Sequence, residues 1–374
     1  MSFGRILQRN RHLHILITIG VGISSGVYLF QDPLRLYWQE QAAKQEAQAG
    51  QGRIYGGLEV TSIGVGAWSW GDRTGYWGYN GYDNYGSTEN RAAFDALIDS
   101  GIGFIDTAEV YGFGKSEELT GEFMRRKGAS PVIATKFAPL PWRFTSDSVV
   151  SACKDSLKRL QVPSVGLYMI HWPGFGPQSL ANDAFVEGLA KVKHAGLAQA
   201  VGVSNFREDR LRAAHRILQD KGLVLASNQV QYSLLYRAPE RNGVLRTCNE
   251  LGITLIAYSP LAQGLLTGKY TVEKRPGGPR SGIFNEERLR GVQPLIGLMR
   301  DIGSGHGGKT PAQVAINWTI CKGVLPIPGA KNARQAAEVA GAMGWRLTTD
   351  EMAALDSASS KSAAELFGAP FETW

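Results

Sequence analysis

From about residue 61 onward, two hydrophobic patterns alternate along the chain. Short, mostly apolar runs occur at 62–67, 103–106, 131–136, 166–171, 199–203, 253–258 and 324–328, and 227–230, Ser-Asn-Gln-Val, is a further strand candidate. Runs of this length without polar alternation read as strands covered on both faces. Between them lie stretches with apolar residues three and four apart, at 89–100, 115–126, 148–160, 182–195, 208–219, 241–251 and 310–322. Those read as amphipathic helices. Strand alternating with helix predicts a parallel sheet, and eight units in about 300 residues predict an α/β fold closed into a (β/α)8 TIM barrel. A doubly wound open sheet is the alternative. It lacks support because no G-x-G-x-x-G follows the first strand.

The first 52 residues break this pattern and read as a segment separate from a domain at 53–374. Arg5, Arg9 and Arg11 precede residues 12–31, which contain no Asp, Glu, Lys or Arg and are mostly apolar from Ile15 to Phe30. Twenty helical residues span about 30 Å, close to the hydrocarbon thickness of a bilayer. Membrane association through residues 12–31 is therefore one expectation. A removed targeting segment is another, since the start is Arg-bearing and poor in acids. A secretory signal fits less well, because Ala47-Gln48-Ala49 lies far past the apolar run. Residues 33–52, rich in Gln, Ala, Glu and Lys, read as a solvated helical linker.

Composition narrows the function. The formal net charge is +7, of which residues 1–50 supply +2 from five Lys/Arg against three Asp/Glu. No stripe combines basic and aromatic residues, so nucleic-acid binding is not expected. Cys153, Cys248 and Cys321 are far apart and odd in number, which excludes a full disulfide framework. The histidines show no metal spacing, His194, His215 and His306 read as surface positions, and no metal site is expected.

The polar residues that interrupt the apolar runs fall at one place. Asp106, Lys136, His171, Ser204, Asn205, Gln229 and Tyr258 all stand at or just past the C-terminal ends of predicted strands. A barrel brings those ends to one face. Asp106 and Tyr111, five residues apart, are a candidate acid/base pair. Lys136 ends a buried strand and needs a carboxylate, for which Asp106 is the obvious partner. That pair alone could be a salt bridge at the barrel mouth. With Tyr111 beside it, the lysine is expected to favour the phenolate and lower the phenol from about 10. His171 alone could be a hydrogen-bonded structural residue. Beside the other three it could orient a substrate carbonyl.

Asp106, Tyr111, Lys136 and His171, in this order, resemble the tetrad of the aldo-keto reductase superfamily. The stretches Gly202-Val203-Ser204-Asn205-Phe206, Ser227-Asn228-Gln229, Ala257-Tyr258-Ser259-Pro260-Leu261 with 264–270, and Pro326-Ile327-Pro328-Gly329-Ala330-Lys331 agree with it. The resemblance covers about residues 53–360. Trp68-Ser69-Trp70-Gly71, 137–144 and Tyr236-Arg237-Ala238-Pro239-Glu240 look most like plant and algal plastid members.

The resemblance implies an NADP-dependent oxidoreductase that reduces aldehydes or ketones with NADPH, with Tyr111 as proton donor, Lys136 and Asp106 tuning it, and His171 orienting the carbonyl. It implies that Ser204, Asn205 and Gln229 hold the nicotinamide carboxamide and that Tyr258 stacks on the ring. It assigns Gly66, Ala67, Trp68 and Asp106 to the cofactor site, aligns Ser259, Pro260, Leu261, Gln263 and Lys269 with the pyrophosphate, and aligns Gly329, Lys331, Gln335 and Glu338 with the adenosine end. Lys331 and Arg280 suit a 2′-phosphate, hence NADPH over NADH. Val339 departs from the Asn that relatives often carry. The loop at 72–88, rich in Tyr, Trp, Gly and Asn, is expected either as an aromatic wall or lid or as a surface loop packed on the barrel, with Trp142, Arg143 and Trp172 as further pocket candidates. A small-molecule carbonyl, a monomer and a chloroplast location complete the implied picture. The competing function is a nucleotide-binding, redox-sensing subunit attached to a membrane or membrane protein.

Overall fold

The computed structural model describes residues 51–54, 56–72, 76, 87–362, 364 and 366. The chain divides into two units, residues 1–48 and 49–374, and all described residues belong to the second. The apolar run at 12–31 and most of the loop at 72–88 lie outside the described residues.

The architecture is the expected barrel. A hairpin comes first, β1 (Gln51–Ile54) paired antiparallel with β2 (Leu58–Thr61). Eight strands follow, joined mainly by helices: β3 (Val65–Gly66), β4 (Phe104–Asp106), β5 (Val132–Phe137), β6 (Val165–Ile170), β7 (Ala198–Ser204), β8 (Leu225–Gln231), β9 (Thr254–Tyr258) and β10 (Leu325–Ile327). They form one parallel sheet in chain order. The Gly64 and Gly66 amides donate to the Pro326 and Pro328 carbonyls at 3.0 and 3.1 Å, which joins the last strand to the first.

All eight strands fall at the predicted positions; seven carry the largely apolar signal of a strand buried on both faces, whereas β8, LASNQVQ, buries the polar residues Ser227, Asn228, Gln229 and Gln231. The hairpin is different. Its first strand starts inside the stretch read as linker, and its four residues, QGRI, carry no alternation to reveal it. Helix Glu286–Gly305, which holds Pro294 and several glycines, also had no counterpart in the sequence reading. The helix expected over 241–251 is divided into Ala238–Arg241 and Val244–Leu251 by Gly243, at φ 85°.

Two hydrophobic layers hold the domain. The larger lies between strands and surrounding helices and includes Ile105, Ile133, Tyr168, Val203, Leu255 and Trp318. The smaller fills the barrel interior toward the N-terminal ends of the strands, with Ile54 and Leu58 of the hairpin packed against Phe104, Ala134, Leu167, Met169, Ile256 and Ile327. Close approach inside the barrel fixes Gly202, where a Cβ would lie 2.2 Å from Ser227 Oγ. Among the described residues, no helix is long and apolar enough to cross a membrane, and no group of His, Cys, Asp and Glu could hold a metal ion. His215 and His306 are half-buried rather than on the surface, the latter against Trp345 with Nε2 2.9 Å from Glu351.

Candidate active site

Inward-facing positions change character two residues along each strand. On β4, Phe104 belongs to the apolar interior and Asp106, the next inward residue, is charged and buried. On β5 the same step leads from Ala134 to Lys136, which is completely buried. Two isolated ions there would be costly, and they meet. Lys136 Nζ lies 2.5 Å from Asp106 Oδ1 and also donates to the Thr107 carbonyl at 2.7 Å. The other oxygen, Oδ2, accepts from Gln229 Nε2 at 2.8 Å. Burial pushes the Asp106 carboxyl above its ordinary range, against the pull of Lys136 and Gln229. Burial likewise pushes the Lys136 ammonium down, against Asp106.

Tyr111 arrives on a tight turn after β4. Gly112, Phe113 and Gly114 all have positive φ, at 58°, 59° and 91°. A side chain at Gly112 would place its Cβ 2.3 Å from the Gly71 carbonyl oxygen, so the turn beside Tyr111 needs glycine. The Tyr111 hydroxyl accepts from Lys136 Nζ at 3.3 Å, and its ring stands edge-on to His171 at 5.5 Å. One expectation is reversed here. Burial first, and the Asp106 carboxylate second, hold the Tyr111 phenol well above 10. The nearby Lys136 ammonium does not offset these two effects in the free enzyme. The phenol therefore keeps its proton until an acceptor arrives.

His171 follows β6 directly, and its amide donates to the Phe137 carbonyl at 2.8 Å. Burial, reinforced by Lys136, holds the imidazole well below 6.5, so it is neutral. Its Nδ1 is buried without a hydrogen-bond partner among the described residues. The His171 ring also lines the cleft next to Tyr111, and a neutral imidazole there can offer an N–H to a carbonyl oxygen.

These groups open onto a cleft of about 640 Å³. Ser204, Asn205 and Gln229 lie at its inner part. Asn205, at φ 61°, donates to the His171 carbonyl and accepts from the Tyr258 hydroxyl at 3.1 Å. The wall continues through Ser259, Pro260, Leu261, Gln263 and Lys269, then to Gly329, Lys331, Gln335 and Glu338. Ser259, Ala262, Gln263 and Gly264 all have positive φ, so the segment after β9 coils tightly along the cleft. Arg280 and Lys331 line it although only 6% and 8% exposed. Cations held inside a groove suit a polyanionic ligand. The donor set, the cations and the shape fit a dinucleotide carrying phosphates.

Of the residues assigned from sequence to the cofactor, Gly66, Trp68, Asp106, Ser204, Asn205, Gln229, Tyr258, Ser259, Pro260, Leu261, Gln263, Lys269, Arg280, Gly329, Lys331, Gln335 and Glu338 all line the cleft. Ala67 does not. It is fully buried in the outer apolar layer, and only its backbone is engaged. Arg143 is no pocket residue either, being turned onto Glu109 and the Phe137 ring. Trp142 is largely solvent-exposed and lies off the cleft, and Trp172 packs on His171. Lining residues absent from that assignment include Tyr76, Gln231, Tyr270 and Arg334. Gln231 was findable, as the next inward position after Gln229. Tyr76 belongs to the loop expected as an aromatic wall. It stacks on Trp68 at 5.2 Å and donates to Gln263 Oε1 at 2.6 Å.

Comparison with known proteins agrees with this geometry. The model described as Aldo/keto reductase family matches residues 62–360. A second model, described as PIGBOS1-like, matches residues 6–53. The chain is 40% identical over 350 residues to the chloroplastic pyridoxal reductase of Arabidopsis thaliana, covering 91% of this chain and 92% of that one. Among solved structures, a glycerol dehydrogenase from Gluconobacter oxydans superposes with a TM-score of 0.73 at 26% identity, over 86% of this chain and 98% of the other. An aldo-keto reductase from Klebsiella pneumoniae, solved in complex with NADPH, gives 0.63 at 28% identity, over 84% and 97%.

Proposed function

The chain belongs to the aldo/keto reductase family and is an NADPH-dependent carbonyl reductase, and on that premise we propose the part each side chain takes. NADPH, when bound, supplies the hydride. Tyr111 gives its proton to the carbonyl oxygen. Lys136, 3.3 Å from that hydroxyl, steadies the phenolate left behind, and Asp106 holds the lysine there. A raised phenol suits this direction of reaction, since the donor must arrive protonated. Neutral His171 donates an N–H to the same oxygen and orients it. Ser204, Asn205 and Gln229 hold the carboxamide, and Tyr258 covers one face of the nicotinamide. Lys269 and Arg280 face the phosphates, while Gly329, Lys331, Gln335 and Glu338 take the adenosine end. The observation that carries this reading is Tyr111 within reach of Lys136 and His171 at the inner end of one continuous cleft.

The first substrate we propose is pyridoxal, an aromatic aldehyde. The Arabidopsis relative is named for that activity, and Trp68, Tyr76 and the Tyr111 ring offer flat apolar surface beside the donor. The chloroplast is the proposed compartment, supported by the same relative and by the Arg-bearing, acid-poor start of the chain. Residues 1–48, which precede β1, are proposed as a segment distinct from the catalytic domain. The tetrad speaks against the sensing-subunit alternative, because nucleotide sensing alone does not need a proton donor. The test is NADPH consumption with pyridoxal, simple aldehydes and ketones, alongside NADPH binding by fluorescence. Turnover of at least one carbonyl is expected. Tight NADPH binding with no carbonyl reduced would contradict the proposal.

A further inference from the structure

Three loops carry the reacting groups: the one after β4 bears Tyr111, the one after β5 follows Lys136, and the one after β6 begins at His171. Side chains that never reach the cleft bind these loops to one another. Glu109, two residues before Tyr111, has a side chain only 8% exposed. Its Oε1 accepts from the Ala138 amide at 2.7 Å, two residues past Lys136. Both carboxylate oxygens are gripped by Arg143, with contacts of 2.5 and 3.1 Å. The guanidinium also donates to the Ala138 carbonyl at 2.9 Å and lies 5.0 Å over the Phe137 ring. From the third loop, Gln178, 4% exposed, donates through Nε2 to the carbonyls of Pro139, Leu140 and Arg143. A forked, charge-assisted pair fixes geometry as well as contributing energy.

We propose that Glu109, Arg143 and Gln178 are positioning residues for the reduction, a staple that sets the Tyr111 hydroxyl against Lys136 and His171. This rests on Tyr111 being the proton donor. The turn carrying Tyr111 has three successive left-handed residues, so little in its own backbone preference holds it in place. The bonds from Lys136 fix its start at Thr107, and the Glu109–Ala138 bond fixes it again next to the tyrosine. A misplacement of about 1 Å at a reacting atom can cost on the order of 100-fold in rate.

The test compares Glu109→Ala, Glu109→Gln, Gln178→Ala and the double variant Glu109→Ala/Arg143→Ala in the full chain. Glu109→Ala is expected to lower kcat roughly 10- to 100-fold while KM for NADPH stays within about twofold. Glu109→Gln restores most of kcat, because an amide oxygen still accepts the Ala138 N–H. The double variant is no slower than Glu109→Ala, as expected of residues that act as one unit. Gln178→Ala, a milder change, slows kcat less and in the same pattern. Hydrogen exchange adds a readout without substrate: amides at 107–113 and at Ala138 exchange faster in Glu109→Ala. A kcat that stays at the wild-type level in Glu109→Ala, with only Tm reduced, overturns the proposal, as does unchanged exchange. An inactive wild type would count against the reductase reading, and the exchange data would still decide the staple.

Discussion

The two ends of the barrel interior are built from the same strands and do opposite work. Toward the N-terminal ends, Phe104, Ala134, Leu167 and Ile256 face inward and meet the hairpin residues Ile54 and Leu58. One inward step later stand Asp106, Lys136 and Tyr258, with Met169 giving way to His171. The lower layer excludes water and closes the barrel. The upper layer rests on it and holds an ion pair that such burial would otherwise forbid. Stability and chemistry are thus separated by two residues along one strand, and each can be struck without the other.

Lys136→Met strikes hardest, because it damages both. It removes the support for the phenolate and leaves Asp106 buried without its cation. Loss of a buried partner costs about 3–5 kcal/mol. Denaturant titration and NADPH consumption should both collapse, and surviving activity would sink the proposed role of the lysine. Phe104→Ala sharpens the contrast. A cavity in the lower layer should cost about 3–5 kcal/mol, with kcat of the folded protein unchanged. A large drop in kcat there would show that the two layers are not separable.

The next effect is a pH slope. His171 is held well below 6.5 when folded, so its contribution to stability is present above the unfolded value of about 6.5. It is lost as pH falls below that, because only the unfolded chain then takes up the proton. Tm measured from pH 7.5 to 5.5 should decline less in His171→Gln than in wild type. Equal slopes would contradict a neutral, buried imidazole. The smallest effect concerns thiols outside the site. Burial pushes Cys153 and Cys248 up to about 12, so neither should be alkylated by iodoacetamide at pH 8 in the folded protein.

The upper layer was legible in the sequence because polarity at the end of an apolar strand is conspicuous. Asp106, Lys136, Gln229 and Tyr258 announce themselves against Ile105, Ala134, Val230 and Ala257. Seven of the eight strands were legible as apolar runs, and β8 is the exception, with Ser227, Asn228 and Gln229 at its centre. What depends on tertiary contact was not. The hairpin strand QGRI has no pattern of its own and is a strand only by pairing with β2. Arg143 sits among pocket-like neighbours in sequence, yet it turns back onto Glu109, a partner 34 residues away. The direction of the Tyr111 shift comes from its depth of burial and then from the nearby Asp106 carboxylate, and neither weight is visible in spacing alone.

Tyr111→Phe removes one hydroxyl from the upper layer and leaves the lower one intact. NADPH consumption with an aldehyde that the wild type reduces, followed at saturating cofactor, reads the result directly. The rate should fall roughly 10²- to 10⁴-fold, as for loss of a general acid, with NADPH binding and Tm close to wild type. Reduction at the wild-type rate by Tyr111→Phe would mean that the proton comes from elsewhere, and would contradict the account.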